Sequence, residues 1–339
     1  MLKKTIRRLG ALAMVLAMAV SVFAVNASAI AVDAVELPKT YEKKGTATVE
    51  PTEALSFDLL RWSAADYNNS DYDTNDNIPH ANLKIEKAAT DGAKFVITKP
   101  TGFKETDIGT FTYVLKEHNA GTAGVDYDAT EINLVIQRTW NEAGTEIEEH
   151  MYLNKTVTNS DGKTQQVKVE NIKNTFTAGE LKISKTVTGK LGDKSKKFKF
   201  YVMFVAPTGK TVNNDITYKY STTGATDSTI AKGWTGTHNT VEIELANGED
   251  CVFKNIPSGV TYTVTEASYN DYTTKYNNSD TAIKAEGTIN DAQVAVNVTN
   301  NKDATTPGGV IMTIAPYALM LVVAGAFAVV FLSRRNRAE

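Results

Sequence analysis

Residues 172–187 read I-K-N-T-F-T-A-G-E-L-K-I-S-K-T-V, and they set the fold. At one end Asn174 sits between Ile172 and Phe176; at the other Lys185 shares a parity with Leu181, Ile183 and Val187. A β-strand sends alternate side chains to opposite faces, so a polar group is placed among apolar neighbours on each side. Thr177-Ala178-Gly179-Glu180, between them, reads as a short linker. The stretch therefore closes one β domain and opens a second, with so little slack that the two stand end to end.

The same pattern recurs outward from this stretch. Lys39 lies in V-E-L-P-K-T-Y with Val35, Leu37 and Tyr41, and Glu117 closes F-T-Y-V-L-K-E with Phe111, Tyr113 and Leu115. Glu266 follows Tyr262 and Val264, and Asn300 follows Val294, Val296 and Val298. Two sets emerge, Lys39–Glu117–Asn174 and Lys185–Glu266–Asn300. Lys to Glu is 78 residues in the first and 81 in the second, whereas Glu to Asn is 57 and 34, so the first domain carries a longer late insertion. Each Lys falls in the first strand of its domain and each Asn in the last.

A charge or amide on a buried face is costly unless it is paired or has reacted. One reading is a buried Lys–Glu ion pair with Asn as a hydrogen-bonded neighbour, but such pairs are weak evidence for stability and give no reason for an Asn each time. In the first domain Lys43 and Lys44 compete with Lys39, Lys43 having the right parity beside a polar stretch. Lys173 and Lys182 have the wrong parity and should face solvent.

Turn signals at Asp161-Gly162, Asn247-Gly248 and Pro257-Ser258-Gly259, with abundant Thr, Val and Tyr, point to strands throughout. The mature region offers no convincing amphipathic helix. The expected fold is all-β, two tandem Ig-like β-sandwiches over residues 30–177 and 178–304. Cys251 is the sole cysteine, so no intramolecular disulfide can form, and in D-C-V-F it reads as a small core residue. Asp71-Tyr72-Asp73-Thr74-Asn75-Asp76-Asn77 lacks the sixth-position glycine and the twelfth-position glutamate of a calcium loop and reads as a polar surface loop. The four histidines have no metal-ligand spacing, and neither a metal nor a cofactor is expected.

Residues 1–29 read as a secretory signal peptide: Lys3, Lys4, Arg7 and Arg8, an apolar run over 11–25, then Ala27-Ser28-Ala29. Residues 310–332 are apolar enough to span a bilayer, and Arg334, Arg335 and Arg337 follow. Without these ends the chain holds 29 basic and 38 acidic residues, a net charge of −9 that argues against nucleic acid as a partner. Thr305-Thr306-Pro307-Gly308-Gly309, the apolar span and the basic tail together resemble the cell-wall sorting signal of Gram-positive surface proteins over residues 305–339. Pro307, Gly308 and Gly309 align with the end of the sortase motif, and Gly308 stands where its threonine usually is.

F-T-Y-V-L-K-E at 111–117, G-V-D-Y-D-A-T at 124–130 and I-K-N at 172–174 resemble Gram-positive backbone pilins of the streptococcal T-antigen type. So do L-K-I-S-K-T-V at 181–187, I-P-S-G-V-T-Y-T-V-T-E at 256–266 and V-T-N-N-K at 298–302. That resemblance implies pilin isopeptide-linkage domains, in which a buried lysine amine attacks an asparagine carboxamide and ammonia leaves. It assigns Lys39–Asn174 and Lys185–Asn300 as crosslinks, with Glu117 and Glu266 as the proton-shuttling carboxyls. It implies autocatalysis only, no enzyme acting on other molecules, and a structural role in the shaft of a pilus on the cell wall. The partners would be a sortase, further copies of the chain, and peptidoglycan or a base pilin, with the membrane engaged only before processing. Lys168, with Lys163 in reserve, occupies the place of the lysine that links subunits, although the chain lacks the Y-P-K motif of another pilin group. The alternative is a monomeric wall-anchored adhesin built from the same domains.

Overall fold

The computed structural model describes residues 33–52, 56–65, 78–80, 82–87, 94–222 and 224–303. The signal segment, the Asp71–Asn77 run, Pro307-Gly308-Gly309 and the 310–332 span lie outside the described residues.

Among the described residues the elements are all strands. The leading half holds β1 (Ala34–Gly45), β2 (Phe57–Ala65), β3 (Lys84–Lys87), β4 (Lys94–Thr98), β5 (Gly109–Glu117), β6 (Val125–Asp126), β7 (Ile132–Trp140), β8 (Ile147–Thr158) and β9 (Thr164–Lys168). The long strand β10 (Ile172–Thr188) leads into β11 (Phe198–Val205), β12 (Thr211–Val212), β13 (Ile216–Tyr220), β14 (Ser228–Ile230) and β15 (Trp234–Thr235). Then come β16 (Val241–Leu245), β17 (Asp250–Pro257), β18 (Thr261–Glu266), β19 (Thr273–Tyr276), β20 (Ala285–Thr288) and β21 (Gln293–Asn301).

One sheet runs β14-β13-β17-β10-β1-β4-β3, with β21 and β6 also paired to β10 and β19 to β21. It is shared by both halves. A second sheet, β2-β5-β7-β8-β9, belongs to the leading half, and a third, β16-β11-β18-β20, to the trailing half.

Two apolar clusters follow from the strand alternation. Leu37, Phe95, Ile97 and Ile172 of the shared sheet pack with Phe111, Tyr113, Leu115, Leu134 and Ile136 of the second. Leu181, Ile183, Phe253, Val296 and Val298 pack with Phe198, Phe200, Val202, Leu245 and Val264 of the third. Cys251 is fully buried in the latter cluster, and burial pushes its thiol up to about 12, so it acts as a small hydrophobe there.

Residues 177–180, expected as a linker, are part of β10. Ladders on both sides override their loop-like composition: β1 pairs along 172–178, β21 along 180–188, and β17 along 178–184. Even-numbered residues are buried from Ile172 to Ala178 and odd-numbered ones from Gly179 to Val187. The parity changes where the β17 register shifts between Gly179 and Leu181, as a bulge requires. Gly179 is needed there, since a Cβ would lie 2.7 Å from the carbonyl oxygens of Asn290 and Ala292.

The junction is tied on several sides. Thr46 donates its N–H to the Ala178 carbonyl at 2.9 Å, and Thr48 donates its N–H and hydroxyl to Asn255 Oδ1 at 2.8 and 2.9 Å. Asn213 Nδ2 donates to Thr122 Oγ1 at 2.8 Å, and neighbouring Ala123 is buried in the trailing core.

Candidate functional site

The six polar residues expected on buried faces form two clusters, one per core. The backbone places them in the same way twice. β1 and β10 are parallel with Tyr41 opposite Asn174, and β10 and β21 are parallel with Val187 opposite Asn300. In each pair the asparagine therefore stands across from the residue two beyond the lysine. Shared parity puts amine and carboxamide on one face as diagonal neighbours. The glutamate comes from another sheet: Glu117 is the last residue of β5 and Glu266 the last of β18.

In the first cluster Lys39 Nζ lies 2.6 and 2.7 Å from the two carboxylate oxygens of Glu117. Asn174 Nδ2 donates to Glu117 Oε1 at 2.9 Å. In the second, Lys185 Nζ lies 2.8 Å from Glu266 Oε2, and Asn300 Nδ2 donates to Glu266 Oε1 in a short hydrogen bond. The most exposed of the six is Glu266, at 7%. One carboxylate thus bonds both an amine and a carboxamide nitrogen, away from water, in each core.

The apolar surroundings act on charge. Burial is the dominant influence on Lys185 and brings its amine down to about 8, although the hydrogen bond and charge of Glu266 pull the other way. The Lys185 ammonium also lies 4.3 Å from the centre of the Phe198 ring and 5.5 Å from that of Phe200. Tyr276 closes the cluster, its hydroxyl accepting the Glu266 N–H at 2.7 Å.

The competing lysines stand elsewhere. Lys43 and Lys44 are exposed and pair with Glu50 and Glu42. Lys173 pairs with Glu42 and Lys182 with Asp250, both away from the buried face as their parity implied. Lys168 is exposed at the end of β9, an edge of its sheet, and Lys163 is exposed beside Asp161. Neither joins a buried cluster. Pro307, Gly308 and Gly309 lie outside the described residues.

Asp128 is the residue that parity reasoning missed. Its N–H donates to Asn174 Oδ1 at 2.8 Å, while its carboxylate accepts the N–H groups of Thr130 and Lys173 at 2.9 and 3.1 Å. Desolvation is the largest influence on that carboxyl and would raise it, but the hydrogen bonds from Thr130 and Lys173 together hold it below the usual range. The only signal in sequence was its place in G-V-D-Y-D-A-T. Phe198 and Phe200 carried the alternation of a buried strand and nothing more.

The trailing half, residues 179–302, matches the model of a domain of unknown function (DUF7601). A pilin of Streptococcus pyogenes serotype M1 is 29% identical over 246 residues, covering 67% of this chain and 68% of that protein. The pilus tip adhesin Cpa of Streptococcus pyogenes is 30% identical over 134 residues, 38% of this chain and 18% of its own length. The crystal structure of the major pilin from Streptococcus pyogenes aligns with a TM-score of 0.49 and 18% identity, covering 80% of this chain and 99% of that one. Over about two thirds of its length, then, the chain resembles a streptococcal pilin.

Proposed function

We propose that the chain is the shaft subunit of a sortase-polymerised pilus on the cell wall, self-crosslinked through Lys39–Asn174 and Lys185–Asn300. The observation that carries this reading is the repeated placement of one buried carboxylate against both an amine and a carboxamide. A plain ion pair would need the lysine and glutamate but would leave the asparagine, present both times, without a purpose.

The chemistry follows from the positions. Glu117 takes a proton from the Lys39 ammonium across 2.6 Å, leaving a neutral amine in an apolar core. Nζ attacks Asn174 Cγ, the carboxyl gives its proton to Nδ2, to which it is already hydrogen-bonded, and as the Cγ–Nδ2 bond breaks it takes the second proton from Nζ and ends protonated. Ammonia leaves, and the side chains are joined by an amide. Glu266 serves Lys185 and Asn300 in the same manner. The fold supplies the proximity that a separate enzyme would otherwise provide.

Around this chemistry the reading places two Ig-like sandwiches, residues 30–177 and 178–304, behind a cleaved signal peptide and before a sorting segment at 305–339. A sortase would join the Pro307-Gly308-Gly309 motif of one subunit to Lys168, or Lys163, of the next, with peptidoglycan or a base pilin at the foot. The likeness to a pilin supports a pilus role, and the parallel terminal strands support a module built to bear tension.

The test is the intact mass of residues 30–304, produced alone and folded. Each bond removes one ammonia, about 17 Da. Loss of two, mapped to Lys39–Asn174 and Lys185–Asn300, is the expected result; an unmodified mass from folded protein refutes the crosslinking reading. In wall extracts a detergent-resistant ladder is expected, whereas a single band would favour the monomeric adhesin.

A further inference from the structure

The two clusters differ at the carbonyl oxygen of the asparagine. Asn174 Oδ1 accepts the Asp128 N–H at 2.8 Å, whereas Asn300 Oδ1 is buried with no hydrogen-bond partner among the described residues. The orientation of Asn174 is fixed by this contact. A backbone N–H can only donate, so the atom facing it is the oxygen, and Nδ2 is turned to Glu117.

We infer that the Asp128 backbone N–H is an oxyanion donor for the Lys39–Asn174 reaction, held in place by its own carboxylate, and that the first bond forms faster than the second. The inference rests on the crosslinking reading above. When Nζ attacks Asn174 Cγ, the carbonyl π electrons move onto Oδ1, and the negative charge grows on the atom that Asp128 already touches. As the Cγ–Nδ2 bond breaks, that charge returns to the carbonyl and ammonia departs with the proton from Glu117. A donor in place before the reaction needs no reorganisation during it, which is why such groups contribute strongly to rate.

The local chain is built to hold that amide. Gly124, at φ +73°, accepts the Thr177 N–H, and β6 pairs with β10 at Phe176 and Thr175. Tyr127 accepts the Thr122 N–H at 3.2 Å. The Asp128 carboxylate then spans from Thr130, on its own segment, to Lys173, the residue before the reacting asparagine. This gives the stretch G-V-D-Y-D-A-T a purpose: it runs beside β10 and aims one N–H at Asn174. Among the described residues the second core offers Asn300 Oδ1 no such donor.

The experiment is folding of residues 30–304 synthesised chemically and kept in denaturant, so that neither bond has formed at the start, with Glu117→Ala and Glu266→Ala as the non-reacting controls for each site. Ammonia loss at each site is followed by peptide mass against time, in the parent chain and in Asp128→Ala and Asp128→Asn. Both variants break the carboxylate's span to Lys173, and Asp128→Asn keeps the side-chain size. Removing an oxyanion donor outright costs about 10²–10³ in rate; loosening one should slow the first bond about tenfold while the second keeps its parent rate. Unchanged timing at Asn174 overturns the inference, as does equal slowing at both sites, which would mark Asp128 as a folding residue. A parent chain in which the second bond forms first also overturns it. If the parent forms no bond at either site, the crosslinking reading itself falls, a result distinct from all of these.

Discussion

Replacing Asn300 with alanine removes the second crosslink at its acceptor while leaving the Lys185–Glu266 pair intact. The bond from Lys185 to Asn300 would close a loop of 115 positions. Treated as a constraint on the unfolded chain, a loop of that length contributes about 4.8 kcal/mol at 25 °C. The Asn300 Nδ2 that bonds Glu266 before the reaction leaves as ammonia when the bond forms, so the crosslink alone sets the difference between parent and variant. A unit of about 120 residues unfolds with an entropy near 0.25 kcal/mol/K, which turns the crosslink alone into a fall of about 20 °C in Tm. Differential scanning calorimetry of residues 30–304 should show the second transition displaced by that amount. The first transition, with Lys39–Asn174 intact, should move far less, apart from what the shared β10 transmits. A displacement below about 5 °C, in a parent shown by mass to carry the bond, would refute the loop-closure argument.

Three further outcomes are expected. In Asn300→Ala the lysine stays titratable, and because its folded value near 8 lies below the unfolded 10.5, the unfolded chain binds the extra proton between them. Stability should therefore rise with pH from about 8 to 10.5, by about 3 kcal/mol in denaturant titrations, and a flat profile would contradict the depressed lysine. Gly179→Ala drives a Cβ to 2.7 Å from two carbonyl oxygens that belong to backbone and cannot rotate away. A loss of about 3 kcal/mol is expected, read as a lower melting temperature, and a neutral result would show that the bulge can relax. Lys168→Arg, on the exposed end of β9, should abolish the polymer ladder without changing the melting temperature; a persisting ladder would move the linkage to Lys163 or elsewhere.

Parity made the two buried triads legible, because a strand's period of two assigns faces from sequence alone and a lysine beside Leu37 or Ile183 breaks that pattern visibly. It could not tell how the strands pair. The diagonal of Lys39 to Asn174 depends on β1 and β10 running parallel in a register set by residues 133 positions apart. Thr177–Glu180 looked like a linker because its composition is loop-like, yet the neighbours on both sides of β10 decide its conformation. Asp128 was invisible for a different reason. It acts through its N–H, which every residue but proline carries, so its side chain announces nothing about the contact it makes with Asn174.

Because β10 belongs to both cores, it predicts an order of folding. Its leading half completes the first core against β1, a closure across more than 130 positions that is slow because of the loop entropy it must overcome. Once that half is docked, its trailing half is already extended and ordered past Gly179, an open edge waiting for β17 and β21. The second core then grows on a template instead of nucleating alone. Damage to the first core should slow the second, while damage to the second should leave the first nearly untouched. The shared strand thus predicts assembly from the amino-terminal half toward the carboxy-terminal half, and hydrogen-exchange protection that appears first in the trailing core would refute it.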